Sequence, residues 1–205
     1  MNRRRAALGL TLGGLLAGCS GLSAPPAHRY FVLETAPTRL APGALQRDAM
    51  LLVAPTTAAS FYDTQEIIYS RRAGERAYYQ LSSWTEPPNR SLGTQLAARL
   101  ALGGAFRGAV ETASGVRGSL LLRTHLVELY HDAVASPGAA RVTLTAELSD
   151  PAGRNLLAQR SFSASVPVVT YDAAGAVQGF GQALGQLLDE VAAWAAQAAA
   201  GARAG

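Results

Sequence analysis

The chain has 205 residues with 18 basic and 14 acidic side chains, a formal charge of +4, and every basic residue is an arginine. Without lysine there is no Schiff-base catalysis, no Ser-x-x-Lys nucleophile and no Walker lysine. The one cysteine, Cys19, leaves no disulfide to be made within the chain.

Arg3, Arg4 and Arg5 precede an apolar run from Ala6 to Leu16, and Leu16-Ala17-Gly18-Cys19 follows directly. A basic head, a short apolar middle and small residues at the break make a secretory signal. The run is about half the roughly 20 residues a membrane-spanning helix needs, so cleavage is expected over retention. The last four residues resemble the lipobox of bacterial lipoproteins, whose cysteine becomes the first mature residue and carries the lipid. Residues 1–18 are thus expected to be a signal peptide and Cys19 the lipidation site, the covalent lipid being the only attached group foreseen. Without the signal, 15 arginines face 14 acids. No basic stretch is interleaved with aromatics, so a nucleic-acid partner is not expected.

Residues 19–29 read as the lipidated cysteine and its tether. Ser20 to His28 is small, polar and proline-bearing, and spans about 30 Å when extended. Ser20 follows the cysteine where aspartate, in enterobacterial lipoproteins, favours the inner membrane. The resemblance therefore points to the outer membrane, facing the periplasm, with the inner membrane as the other address.

Residues 30–196 form one domain of ordinary size. Tyr30 to Leu33 is a first strand, and Pro37 to Pro42 a loop. Met50 to Val53, ended by Pro55, suits a strand buried on both faces. Glu66 to Arg71 and Ala77 to Trp84 flank a polar link containing Gly74, which predicts a hairpin. Pro87-Pro88 stops the second strand. Asn89 or Ser91 then caps a helix with leucines at 92, 96 and 100, ended by Gly103-Gly104. Gly118 to Asp132 carries leucines on both faces, so alternation leaves its register open. Val142, Leu144, Ala146 and Leu148 alternate inward along the next strand. A last strand, Leu156 to Val168, turns Leu156, Ala158, Phe162, Ala164 and Val166 inward. Short turns at Ser136-Pro137-Gly138 and Asp150 to Gly153 make these three strands an antiparallel meander. Asp172 caps a closing helix whose stripe of Val177, Phe180, Leu184, Leu187, Val191 and Trp194 packs on the sheet or seats a second copy. From Ala195 onward the chain is nearly pure alanine and glycine and is expected to fray, residues 197–205 forming an alanine- and glycine-rich tail. The fold class is α+β, a largely antiparallel sheet with two main helices.

Enzyme chemistry has no visible home. His28 lies in the tether, and His125 and His131 would share a strand face about 20 Å apart, too far for one metal. No Gly-x-Ser-x-Gly elbow occurs. Gly179, Gly181 and Gly185 lie inside the closing helix, not ahead of it as a nucleotide loop would. Asp189-Glu190 diverge around that helix and read as a solvated face.

The informative stretch runs from Ile67-Ile68-Tyr69 through Tyr78-Tyr79 to Trp84-Thr85-Glu86-Pro87-Pro88. It reads either as a structural corner or as a partner-binding edge of Tyr69, Tyr78, Trp84, Glu86 and Pro87, aromatics being favoured interface anchors. The lipobox, Tyr30-Phe-Val-Leu33, the strand ending at Pro55, the Ile-Ile-Tyr hairpin and Trp-Thr-Glu-Pro together resemble the ABC-type transport auxiliary lipoproteins, the PqiC-like family. Ser70, Thr85 and Pro88 depart from the arginine, alanine and leucine usual there. The resemblance implies a non-enzymatic subunit that docks an MCE-domain protein and its inner-membrane permease in moving lipids between membranes. MCE proteins form rings, which implies room for several copies of this chain. The other reading is a lipoprotein subunit of an outer-membrane assembly machine, such as a lipopolysaccharide-inserting barrel.

Overall fold

The computed structural model describes residues 26–35 and 47–201. The signal, Cys19, most of the tether, the Pro37 to Pro42 loop and the last four residues lie outside them. The elements are β1 (Arg29–Phe31), β2 (Arg47–Val53), β3 (Thr57–Ala58), β4 (Glu66–Ser70), β5 (Ala77–Trp84), α1 (Asn89–Leu102), β6 (Phe106–Glu111), β7 (Leu120–Asp132), β8 (Ala139–Ser149), β9 (Leu156–Pro167) and α2 (Ala173–Gly201). Short 3-10 turns occupy Ser60–Tyr62 and Thr112–Ser114.

The sheet is built on β7. One edge of this strand pairs antiparallel with β8 along its length, and β8 pairs antiparallel with β9. The other edge pairs in parallel with three successive segments: β2 at Leu120 to Leu122, β3 at His125 and Leu126, and β4 at His131 and Asp132. β6 adds in parallel to β2, while β5 pairs antiparallel with β4 and carries β1 in parallel at its far end. The sheet is therefore mixed, with the antiparallel meander supplying most of the paired residues. The parallel side follows from β2, β3 and β4 running one after another in the direction of β7.

A bulge explains why the pattern of β7 could not be read. Leu126 pairs with Leu144 and Glu128 with Thr143, so Val127 is an extra residue on one strand. Leu122, Thr124 and Leu126 before it, and Leu129 and His131 after it, are all buried. His125 and His131 consequently lie on opposite faces, not on the shared face that simple alternation gives. A second irregularity, between Leu148 and Ser149, sets Leu156 opposite Ser149. Leu156 is exposed there and does not join the inner face of β9, whereas Phe162 and Val166 are buried.

Both helices contribute to the same core. Phe180, Leu184, Leu187, Val191 and Trp194 on α2 are buried with Val142, Leu144, Ala146 and Leu148 of β8. Gly179 permits this approach, because a Cβ there would lie 2.7 Å from that of Ala140. Asp172 caps α2 as expected, its Oδ1 accepting from the Gly175 N–H at 2.8 Å. The helix does not fray at Ala195. It continues to Gly201 with Ala195 and Ala199 buried, since alanine has the best helix propensity and these two still touch the core. On α1, Leu92, Leu96 and Leu100 are buried as their spacing predicts. Its cap differs. Pro88 takes the N-cap position, the Asn89 amide is drawn inward to the Thr56 carbonyl, and Ser91 donates back to Pro88.

Candidate functional site

The β4–β5 hairpin turns through Gly74, whose φ of +79° suits glycine. Two aromatic layers flank it, one on each face of the sheet. On the outer face Phe61 stacks on Tyr78 with ring centres 5.5 Å apart, and Tyr62 meets Phe61 edge-on. The Arg76 guanidinium lies 3.7 Å over the Tyr130 ring, donates to the Tyr62 hydroxyl and pairs with Glu128 at 3.2 Å. Burial raises the Tyr62 phenol above its ordinary pKa, so its hydroxyl stays protonated beside Arg76.

On the inner face Tyr69 packs on Tyr79 at 4.8 Å, with Arg71 5.0 Å over the Tyr69 ring. Tyr79 Oη lies 2.7 Å from His131 Nδ1, and His131 Nε2 lies 2.8 Å from the Pro137 carbonyl. A carbonyl only accepts, so in the neutral imidazole Nε2 carries the hydrogen and Nδ1 accepts from Tyr79. Burial, with Asp172 and Tyr171 nearby, pushes the Tyr79 phenol up to about 12. His131 is fully buried and Tyr79 half-buried, so this pair ties β5 to β7 within the sheet. Among the described residues no group of three or more His, Cys, Asp or Glu could hold a metal ion.

The five sequence-predicted contact residues do not form one site. Tyr69 and Tyr78 flank the hairpin turn, and Tyr78 is exposed. Trp84 lies six residues further along β5, up to roughly 20 Å away. It is 1% exposed and packs 5.9 Å from Phe180, so it is a core residue that offers no surface. Beyond it Thr85 donates to Phe31 and accepts from Gln65, leaving Glu86 exposed and Pro87 half-buried. Sequence reasoning missed Phe61 and Tyr171, which join this region only through tertiary contact. It also placed Asp189 on a solvated face, whereas Asp189 is an ion-pair partner of Arg99. The signal was present in Arg99, three residues after Leu96 on the buried stripe of α1.

The model of the ABC-type transport auxiliary lipoprotein component family matches residues 31–192. The chain belongs to that family. As a member, the auxiliary lipoprotein is a component of an ABC-type transport system. A crystal structure of a Xanthomonas campestris protein of the DUF330 family is 22% identical, with a TM-score of 0.76, covering 84% of this chain and 97% of that one. A crystal structure of an uncharacterized protein is 15% identical, with a TM-score of 0.64, covering 82% and 99%. At these identities the two neighbours show the fold alone. No protein of curated function matches the chain in sequence. No helix among the described residues is long and apolar enough to cross a membrane.

Proposed function

We propose that this auxiliary lipoprotein is a non-enzymatic subunit, lipid-anchored through Cys19 to the periplasmic face of the outer membrane. It docks an MCE-domain protein, and through it an inner-membrane permease, in a system that moves lipids or other hydrophobic molecules between the membranes. The family match over residues 31–192 carries this reading. The buried polar chemistry of the hairpin agrees with it, because Arg76, Tyr79 and His131 are bonded within the sheet. For the protein partner, Tyr78 with Phe61 on the outer face and Glu86 with Pro87 at the corner are the available contacts, in two separate places. Trp84 supports the corner from within.

The test is a crosslinked pull-down of tagged full-length protein from detergent-solubilised membranes, read by mass spectrometry. An MCE-domain protein with its permease is the expected catch. A β-barrel protein alone would replace this reading with that of an outer-membrane assembly subunit. Loss of the catch in folded Tyr78→Ala or Glu86→Ala protein locates the docking face.

A further inference from the structure

Three turns meet at one end of the sheet: the hairpin tip at 71–76, the β7–β8 turn at 133–138 and the β9–α2 loop at 168–172. They are tied together by backbone and side-chain bonds. Ala133 N–H donates to the Ser70 carbonyl at 2.7 Å, Val168 N–H to the Gly138 carbonyl at 3.1 Å, and Tyr171 Oη to the Ala133 carbonyl at 2.8 Å. On this rigid rim Val134, Val169 and Tyr171 are 60%, 74% and 41% exposed. Beside them the hairpin tip carries Arg71, Arg72 and Arg76 against the single acid Glu75. Arg76 is engaged with Glu128, and Arg72 lies 3.5 Å from Glu75, at a surface position where such a pair is weak. Arg71 and Arg72 are both exposed. The rim thus combines exposed apolar side chains with two exposed arginines, Arg71 and Arg72, near the acids Glu75 and Asp172.

The direction of β1 says what this rim faces. β1 runs parallel to β5, which starts at the hairpin and runs away from it. β1 lies beside Ser82 to Trp84, so the chain traced backwards from Arg29 starts at the far part of β5 and heads towards the hairpin end. Cys19 precedes Pro26 by seven residues, a reach of at most about 25 Å. A folded partner is on the order of 30 Å across, too thick to fit between this rim and a bilayer holding Cys19. A lipid surface needs no such gap.

We propose that the hairpin end seats on the headgroup layer of the membrane that holds the acyl chains of Cys19. Arg71 and Arg72 face anionic phospholipid headgroups, and Val134, Val169 and Tyr171 enter the interface. The contact fixes the domain upright and leaves the Glu86–Pro87 corner clear for a protein partner. This inference rests on the lipid anchor of the proposed function.

The test uses full-length lipidated protein in vesicles of phosphatidylcholine with or without phosphatidylglycerol, containing a lipid with a nitroxide on its headgroup. Acylated Cys19 does not label, so a fluorophore is placed on Ala73→Cys at the hairpin tip or Ala152→Cys in the β8–β9 turn at the opposite end. The expected result is strong quenching at Ala73→Cys and little at Ala152→Cys, with the contrast largest in anionic vesicles. Arg71→Gln and Arg72→Gln each weaken the contact equilibrium by roughly fivefold. Equal quenching at the two ends of protein that floats with the vesicles would overturn the inference alone. Protein that fails to float would overturn the anchored reading and the inference with it.

Discussion

Arg99 on α1 and Asp189 on α2 form an ion pair that joins the two helices, with Nη1 2.5 Å from Oδ1 and side chains only 6% and 16% exposed. Arg99 Nη2 also donates to Thr35 Oγ1 at 2.8 Å, which ties in the segment after β1. A charge pair this far from water stabilises chiefly by being complete. Removing one member leaves the other without its counter-charge, at a cost of about 3–5 kcal/mol. Asp189→Ala and Arg99→Ala are each expected to lower urea stability by about that amount. The double variant Arg99→Met with Asp189→Leu is expected to recover most of the loss, since no buried charge remains. A double variant as unstable as the two singles together would show that the pair contributes through geometry the apolar side chains cannot supply.

Asp172 gives a pH-dependent term with a fixed sign. Its carboxylate accepts from the Gly175 N–H and the Thr170 hydroxyl, and these bonds hold its pKa below the ordinary carboxylate value. A group depressed in the folded state stabilises fully above its unfolded value, about pH 4. That contribution is lost as pH falls through the folded value. Asp172→Ala should therefore cost about 1 kcal/mol at neutral pH. Thermal melts of parent and variant should converge in strong acid. A constant gap across that range would mean the charge on Asp172 is irrelevant to the cap.

Much of the architecture was legible because it obeys one period at a time. The α2 stripe, the β8 alternation and the hairpin around Gly74 each follow a single repeat, and each appears where the residues place it. β7 does not obey one period, because Val127 interrupts it, and the parallel pairing of β2, β3 and β4 along its edge leaves no local mark. The site was less legible for a related reason. Trp84, Glu86 and Pro87 are adjacent in sequence to the hairpin aromatics, yet β5 carries them away along the sheet. Phe61 and Tyr171 come back to it from distant segments. Sequence proximity reports contact along a turn and loses it along a strand.

Tyr79 offers a direct optical test of the inner aromatic layer. Burial raises its pKa to about 12, above the ordinary value of about 10. In an ultraviolet titration of phenolate absorbance, Tyr79→Phe should remove one late-ionising equivalent and leave the earlier ones. The stability linked to this phenol is complete below about pH 10 and disappears as pH rises towards 12, because the folded state favours the neutral form. At neutral pH the same variant leaves Nδ1 of buried His131 without its donor, at a cost of about 1–3 kcal/mol. Loss of an early equivalent instead would place Tyr79 in water and dissolve the layer.

Val127 leads to an unintuitive expectation about deletions. Leu126 opposes Leu144, Glu128 opposes Thr143 and Leu129 opposes Val142, so Val127 alone has no partner on β8. Deleting it joins Leu126 to Glu128 and gives a regular ladder in which every remaining pair keeps its face. The parallel edge can follow, because the chain between β3 and β4 is a 3-10 turn and loop rather than a paired strand. The variant should fold cooperatively, losing about 1–2 kcal/mol from the missing half-buried side chain and the lost twist. Deleting Thr145 from β8 is the contrasting case. That strand is paired on both edges without an extra residue there, so every position on one side of the gap changes face against both β7 and β9. Its near-ultraviolet circular dichroism should show no cooperative melt. If the Val127 deletion lost cooperativity as well, the bulge would be a required bend in β7, and the sheet would depend on its twist more than on its register.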